Sequence, residues 1–191
     1  MRKRPFWKRI NRGLVVLLAA AALVGMYIVV VGIDRAAQKR EILALADEME
    51  QLAVKGARLS PAELEMFQSD HEEWTRRITG TLKPFFTAES PYLEEGVEKL
   101  GMMASEQQHG RMALSGLSPD RENIRDFSLD GDVGYIFILY RYEAFGEYDG
   151  EALDGELFLD VTLTLKKTAD GWRIFNISAL DFDRYNYYSF M

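Results

Sequence analysis

The hydrophobic pattern of this chain changes character along its length, and each change predicts a different kind of element. Gly13 to Ile33 reads GLVVLLAAAALVGMYIVVVGI, without one charged residue. A helix needs ~20 mostly apolar residues to cross ~30 Å of hydrocarbon, so residues 13–33 are predicted to span a membrane. From Asp34 to Val54 the apolar residues become periodic. Ile42, Leu45, Met49 and Leu52 recur at three- and four-residue spacing with Ala46 and Ala53 beside them, while Lys39, Glu41, Asp47, Glu48 and Glu50 supply a wet face. That is the signature of an amphipathic helix. It is predicted over 34–56, with Gly56 as its stop.

Helical spacing returns twice more. Ser60-Pro61-Ala62-Glu63 is a helix start: serine caps, proline fits the first turn, and glutamate reaches back to the cap. Leu64, Phe67, His71, Trp74 and Ile78 then fall on one face, ending at Gly80. Ser90-Pro91 opens another helix in the same way, with Leu93, Val97, Leu100 and Ala104 on its apolar face. Gly96 and Gly101 weaken that helix. Residues 107–120, with Gly110, Gly116 and Pro119, read as a loop holding one short strand or turn.

After Glu122 the texture is β. A strand is predicted over Asn123–Leu129, a turn at Asp130-Gly131-Asp132, and a long strand over Val133–Phe145. Residues 146–155 read as a polar loop. From Glu156 to Lys167 the chain alternates. Leu157, Leu159, Val161, Leu163 and Leu165 face one way, and Asp160, Thr162, Thr164 and Lys166 the other, with Phe158 the exception. This is a half-buried antiparallel strand. A turn at Ala169-Asp170-Gly171 leads to a last strand over Trp172–Asp183, whose alternation breaks between Ile174 and Ile177 and so predicts a bulge. Helices followed by about four strands joined by short turns make an α+β fold, with helices covering an antiparallel sheet.

Charge sets the expected orientation. Arg2, Lys3, Arg4, Lys8, Arg9 and Arg12 precede the apolar run with no acid among them, and a more balanced flank follows it. Lysine and arginine stay on the cytoplasmic side. The expected organisation is a basic cytoplasmic tail (1–12), a transmembrane helix (13–33), a membrane-proximal helix (34–56) and an extracytoplasmic domain (57–191). A cleaved signal has an apolar core of only ~7–15 residues; a cut at Ala19–Ala22 would leave the greasy Leu23–Ile33 on the product. An uncleaved anchor fits better.

Of 23 basic and 30 acidic residues, six basic ones lie in the tail, so the remainder carries 17 against 30, a formal charge near −13. That disfavours nucleic acid, and no nucleic-acid partner is expected, since phosphates call for a basic surface. The lack of cysteine removes disulfides, thiolate catalysis and cysteine-based metal sites.

The long strand from Asp132 to Tyr140 (DVGYIFILY), the partner strand Leu157 to Lys167 and the closing Lys167-Thr-Ala-Asp-Gly-Trp-Arg-Ile174 together resemble the NTF2-like (cystatin-like α+β cone) superfamily. The resemblance covers about residues 60–183. It implies a curved sheet wrapped against helices around a conical pocket. It also implies a bacterial, membrane-anchored type with the domain outside. Enzymes, carriers and scaffolds share that fold, so function has to be argued from the site.

The candidate chemistry is sparse. His71, on the stripe with Trp74, is the candidate general base of a cone pocket, with Asp160 or Asp181 as an orienting acid. The competing reading is a boundary histidine that packs its ring. His109 stands beside Gly110 in a predicted loop and is expected to be exposed. Asp70-His71-Glu72-Glu73 has metal-binding atom types, but neighbours on a helix point in different directions and no H-E-x-x-H is present. The acidic stretches at 130–132 and 147–154 lack EF-hand spacing and read as turns. Tyr185, Tyr187, Tyr188 and Phe190 form a candidate partner patch or a cover for the core.

The expectation is a single-pass envelope protein, its outer domain a non-catalytic binding or scaffolding module. Its expected partners are the membrane and another protein or a second copy, with no cofactor. Two alternatives come from other classes: a small-molecule-binding or enzymatic pocket using His71, and an assembly subunit of a conjugation or type IV secretion machine.

Overall fold

The computed structural model describes residues 12–178, with side chains except at 12–16, 18, 120–123, 125 and 178. The chain divides into two units, 1–40 and 41–191. In the first, the described residues belong to helix α1 (Arg12–Ala57), and Leu23, Val24, Ile28 and Ile33 are exposed. Among the described residues α1 is the one helix long and apolar enough to cross a membrane, its apolar eighteen-residue window having a mean hydropathy of 1.7.

In the second unit, α1 turns amphipathic as its sequence requires. Ile42, Ala46, Met49, Ala53 and Ala57 are fully buried, while Leu45 and Leu52 are half-buried. Small alanines on this stripe let the helix approach its neighbours closely. Gln107 ties off the end of α1. Its amide donates to Gly56 O at 2.5 Å, and its Oε1 accepts from the Leu59 N–H at 2.8 Å.

Helix α2 (Pro61–Ser69) begins with the expected capping box, Ser60 and Glu63 bonding each other's backbone N–H. The face predicted to run unbroken to Ile78 is in fact two helices. At Asp70 (φ −143°, ψ 71°) the backbone leaves the helix, and Asp70 Oδ1 accepts the Glu73 N–H at 3.0 Å to start α3 (His71–Leu82). A short carboxylate competes with the helix for backbone donors and favours a cap. Glu72 and Glu73 then occupy the first turn, where the helix dipole favours negative charge.

Helix α4 (Leu93–Gln108) starts later than its sequence suggests. Ser90 does not cap it. Its hydroxyl donates to Phe175 O at 2.8 Å and accepts from the Tyr92 N–H at 3.3 Å. Residues 107–120 are not a loop either. α4 continues to Gln108, Gly110 (φ 69°) turns the chain, and β1 runs Met112–Asp130. Pro119 is tolerated because β1 is an edge strand.

Among the described residues the sheet is a four-stranded antiparallel meander in the order β1, β2 (Val133–Tyr148), β3 (Glu151–Thr168), β4 (Gly171–Ser178). The expected polar loop at 146–155 is a two-residue hairpin. Asp149 (φ 53°) and Gly150 (φ 78°) both take positive φ, as a type I′ turn demands, so the strands extend to Tyr148 and from Glu151. The Asp-Gly pair was the signal; the polar residues around it are exposed strand ends. Three register shifts in β1 mark bulges that bend a long strand. The predicted bulge in β4 is present. Thr164 pairs Asn176 and Leu165 pairs Ile174, leaving Phe175 as the extra residue. Ile174 and Ile177, three apart, can then both be buried.

One sheet face carries the core. Ile136, Ile138, Tyr140 and Tyr142 stand opposite Leu163, Val161, Leu159 and Leu157, and all are buried. Each such leucine or isoleucine contributes about 1.5–3 kcal/mol by leaving water. α1 packs into this core, and two contacts tie it to β2. Ile42 Cδ1 lies 2.8 Å from where a Cβ on Gly134 would sit, and the Tyr140 hydroxyl donates to Asp47 at 2.9 Å. Beyond β4, Phe86 makes a parallel bridge to Ile174 and the Thr87 N–H donates to Ile174 O at 2.9 Å, which covers part of that sheet edge.

Candidate functional site

The break at Asp70 brings three rings together. Phe67, near the end of α2, meets His71 and Trp74, on the first turn of α3, edge-on at centroid distances of 5.0 Å each. His71 stacks on Trp74 at 5.8 Å and 13°. Offset stacks and edge contacts of this kind are the favoured aromatic geometries. Trp74 is buried and His71 exposed, so the imidazole lies over the indole as a lid on its outer face.

This cluster forms one wall of a groove of about 710 Å³ between α3 and α4. The other wall is the α4 face of Leu93, Val97, Gly101 and Met102, with Glu94 and Glu98 along it. Gly101 gives the groove its depth at the middle. A Cβ there would stand 3.6 Å from the Trp74 ring, in ordinary contact. Met102 is 54% exposed, a large apolar side chain held at the rim. Behind Trp74 a smaller cavity of about 90 Å³ lies among Leu52, Leu59, Met66, Ile78 and Leu100.

A second cleft, about 570 Å³, opens between α1 and the β1–β2 edge. Charged Asp47, Glu50, Lys55 and Arg141 line it together with Val54, Pro119, Tyr140 and Tyr142. Asp47 holds Tyr140, and Arg141 pairs with Glu156, so these charges serve local contacts.

Of the residues singled out from the sequence, His71 and Trp74 come together and line one groove. Asp160 does not join them. It alternates with the buried Leu159 and Val161 on β3 and lies on the other face of the sheet, opposite Leu139. Among the described residues no carboxylate is hydrogen-bonded to His71, which touches rings instead. His109 is exposed at the end of α4, with Nδ1 2.7 Å from Ser105 O. Among the described residues no group of three acidic or histidine side chains is placed to hold a metal ion. Asp181 and the aromatic quartet Tyr185, Tyr187, Tyr188 and Phe190 lie outside the described residues. Sequence reasoning missed Glu94, Glu98 and Met102. The signal was available: Glu94 and Glu98 are four apart, and so are Glu98 and Met102, beside the apolar stripe.

The titration of Glu63 is shifted, and the origin is clear. Partial burial pushes its carboxyl up. Hydrogen bonds from the Ser60 backbone and hydroxyl, and the Lys55 ammonium at 3.2 Å, outweigh that and hold it below its ordinary 4.5.

The fold and this groove define an α+β domain with an apolar interhelical cleft, on a chain that carries a membrane-span candidate. No family model matches the chain, and no curated protein matches it significantly. Among solved structures, the crystal structure of the intermembrane space region of the chloroplast protein ARC6 is similar over 65% of this chain and 98% of that one, at 15% identity and a TM-score of 0.31. Likeness at that level carries no argument about function.

Proposed function

We propose that this chain is a single-pass bacterial envelope protein, N-terminus in the cytoplasm, whose extracytoplasmic domain is an NTF2-like, non-catalytic binding or scaffolding module. The observation that carries the reading is the groove between α3 and α4. Its floor is aromatic and aliphatic, and its imidazole packs on rings, with no acid hydrogen-bonded to it among the described residues. A general base needs a proton within hydrogen-bond reach and an orienting partner; a binding surface needs apolar depth with polar edges. The helices-then-meander order supports the NTF2-like assignment, and the basic flank before Gly13 supports the orientation.

The test is cross-linking in intact cells, followed by detergent extraction and mass spectrometry of what travels with the protein. A defined set of membrane or envelope partners is expected. Recovery of monomer alone, together with turnover of a small molecule that His71→Ala abolishes, would replace the binding reading with the enzymatic one. Orientation is read separately. The chain has no cysteine, so Glu72→Cys should react with a membrane-impermeant maleimide on whole cells or spheroplasts.

A further inference from the structure

The groove between α3 and α4 has a chemistry that selects its occupant. Its apolar floor spans Leu93 to Met102 on α4 and faces Phe67 and Trp74. Both full charges along it, Glu94 and Glu98, are carboxylates; both are exposed and one helical turn apart. Among the described residues the other polar liners are hydroxyls and the His71 ring, with no lysine or arginine. From Leu93 to Ser105 the α4 wall is about 18 Å long at 1.5 Å per residue, or about three helical turns. The exposed Met102 thioether adapts its shape to a docked surface.

We infer that this groove docks a basic amphipathic helix of a partner protein, its apolar stripe on Trp74, Val97 and Met102 and its lysines or arginines against Glu94 and Glu98. This rests on the binding-module reading above and names the partner's chemistry. An apolar helix face fits between two helices as a third ridge. The carboxylates add selection by sign, since like charges at such an edge are repelled.

The test uses the full chain in zwitterionic nanodiscs, with empty discs as background. The probe is a fluorescein-labelled peptide of about fourteen residues, about four turns, with leucines at heptad spacing and lysines elsewhere. A second peptide carries glutamate in place of lysine. The lysine peptide is expected to bind and the glutamate peptide not. Glu94→Lys with Glu98→Lys should weaken binding about tenfold or more, and Met102→Glu should do the same. A control pair, Glu143→Lys with Glu147→Lys, makes the same change in net charge on β2 and should alter binding less than about twofold. All these positions are exposed, and unchanged circular dichroism would show that the variants fold.

Equal loss in the groove pair and the control pair would mean bulk attraction and overturn the proposal. So would binding of both peptides alike, or of neither. A concentration-dependent dimer abolished by Met102→Glu would give the groove to a second copy. A tenfold gain in peptide affinity on removing residues 184–191 would give it to the chain's own tail. Either result overturns the assignment. A photo-cross-linker at Met102 in cells separates this inference from its parent. If it captures a defined partner while the lysine peptide fails to bind, the basic-helix assignment falls and the binding module stands. If neither succeeds, both fall.

Discussion

The Tyr140 hydroxyl donates to Asp47 Oδ1 at 2.9 Å, joining the middle of β2 to α1 across a separation of 93 residues. The ring of Tyr140 is buried in the row facing Leu159, so its hydroxyl needs a partner at the core's edge. A hydrogen bond to a charged group is worth about 1.5–3 kcal/mol. Tyr140→Phe is therefore expected to lower unfolding stability by about 1–2 kcal/mol, read as a shift in the urea midpoint at constant slope. A change below the error of the fit would mean that water replaces the bond at no cost.

Two glycines should respond in opposite directions to alanine. Gly146 has φ 147°, and a Cβ there would meet Ala113 O at 2.3 Å, in the backbone of the paired strand. Gly146→Ala is expected to cost about 2 kcal/mol or more through strain and a shifted β1–β2 register. Gly80 lies exposed within α3 with nothing within 4 Å of its Cβ position. Gly80→Ala should stabilise by about 0.5–1 kcal/mol. Thermal melts of the two variants beside the parent chain decide both signs.

The Ser60–Glu63 box gives a pH signature. Glu63 has a folded pKa below its ordinary 4.5, so its contribution is present above that value and is lost as pH falls through the lower folded value. Acid titration of stability should show Glu63→Gln with a shallower decline than the parent below pH 4.5. Ser60→Ala should cost about 1 kcal/mol at neutral pH. Parallel acid limbs in parent and Glu63→Gln would show that the box contributes no linkage.

His71 and Trp74 stack, yet their removal should differ sharply. Trp74 is buried between the groove and the small cavity behind it. Trp74→Ala is expected to cost about 3–5 kcal/mol, as large core truncations do. His71 is exposed and contributes one stack and one edge contact, so His71→Ala should cost about 1 kcal/mol or less. Denaturant unfolding monitored by far-UV circular dichroism separates them. A loss of several kcal/mol at His71 would show that it carries packing its exposure conceals.

Periodicity alone determined much of this protein. The uncharged run at 13–33, the α1 stripe through Ile42, Met49 and Ala53, the capping box at Ser60, the alternation of β3 and the bulge between Ile174 and Ile177 were all written in local spacing. Each follows from side-chain geometry within a few residues, with period 3.6 or 2. The sequence pattern erred where a residue's partner was distant. Ser90 looked like a cap, but its hydroxyl bonds Phe175, 85 residues on. Gly116 and Pro119 looked like loop residues, but the pairing of β1 with β2 holds them in a strand. Asp70 looked like part of an acidic stretch within one helical face, but its carboxylate accepts from the Glu73 N–H and the chain bends there. The candidate site divides in the same way. His71 and Trp74 were legible because they share a helix face. Only packing could set that face against Glu94, Glu98 and Met102 and turn Asp160 to the far side of the sheet. Which residues line a groove depends on how two helices approach, and that is fixed by contacts between segments far apart in the chain.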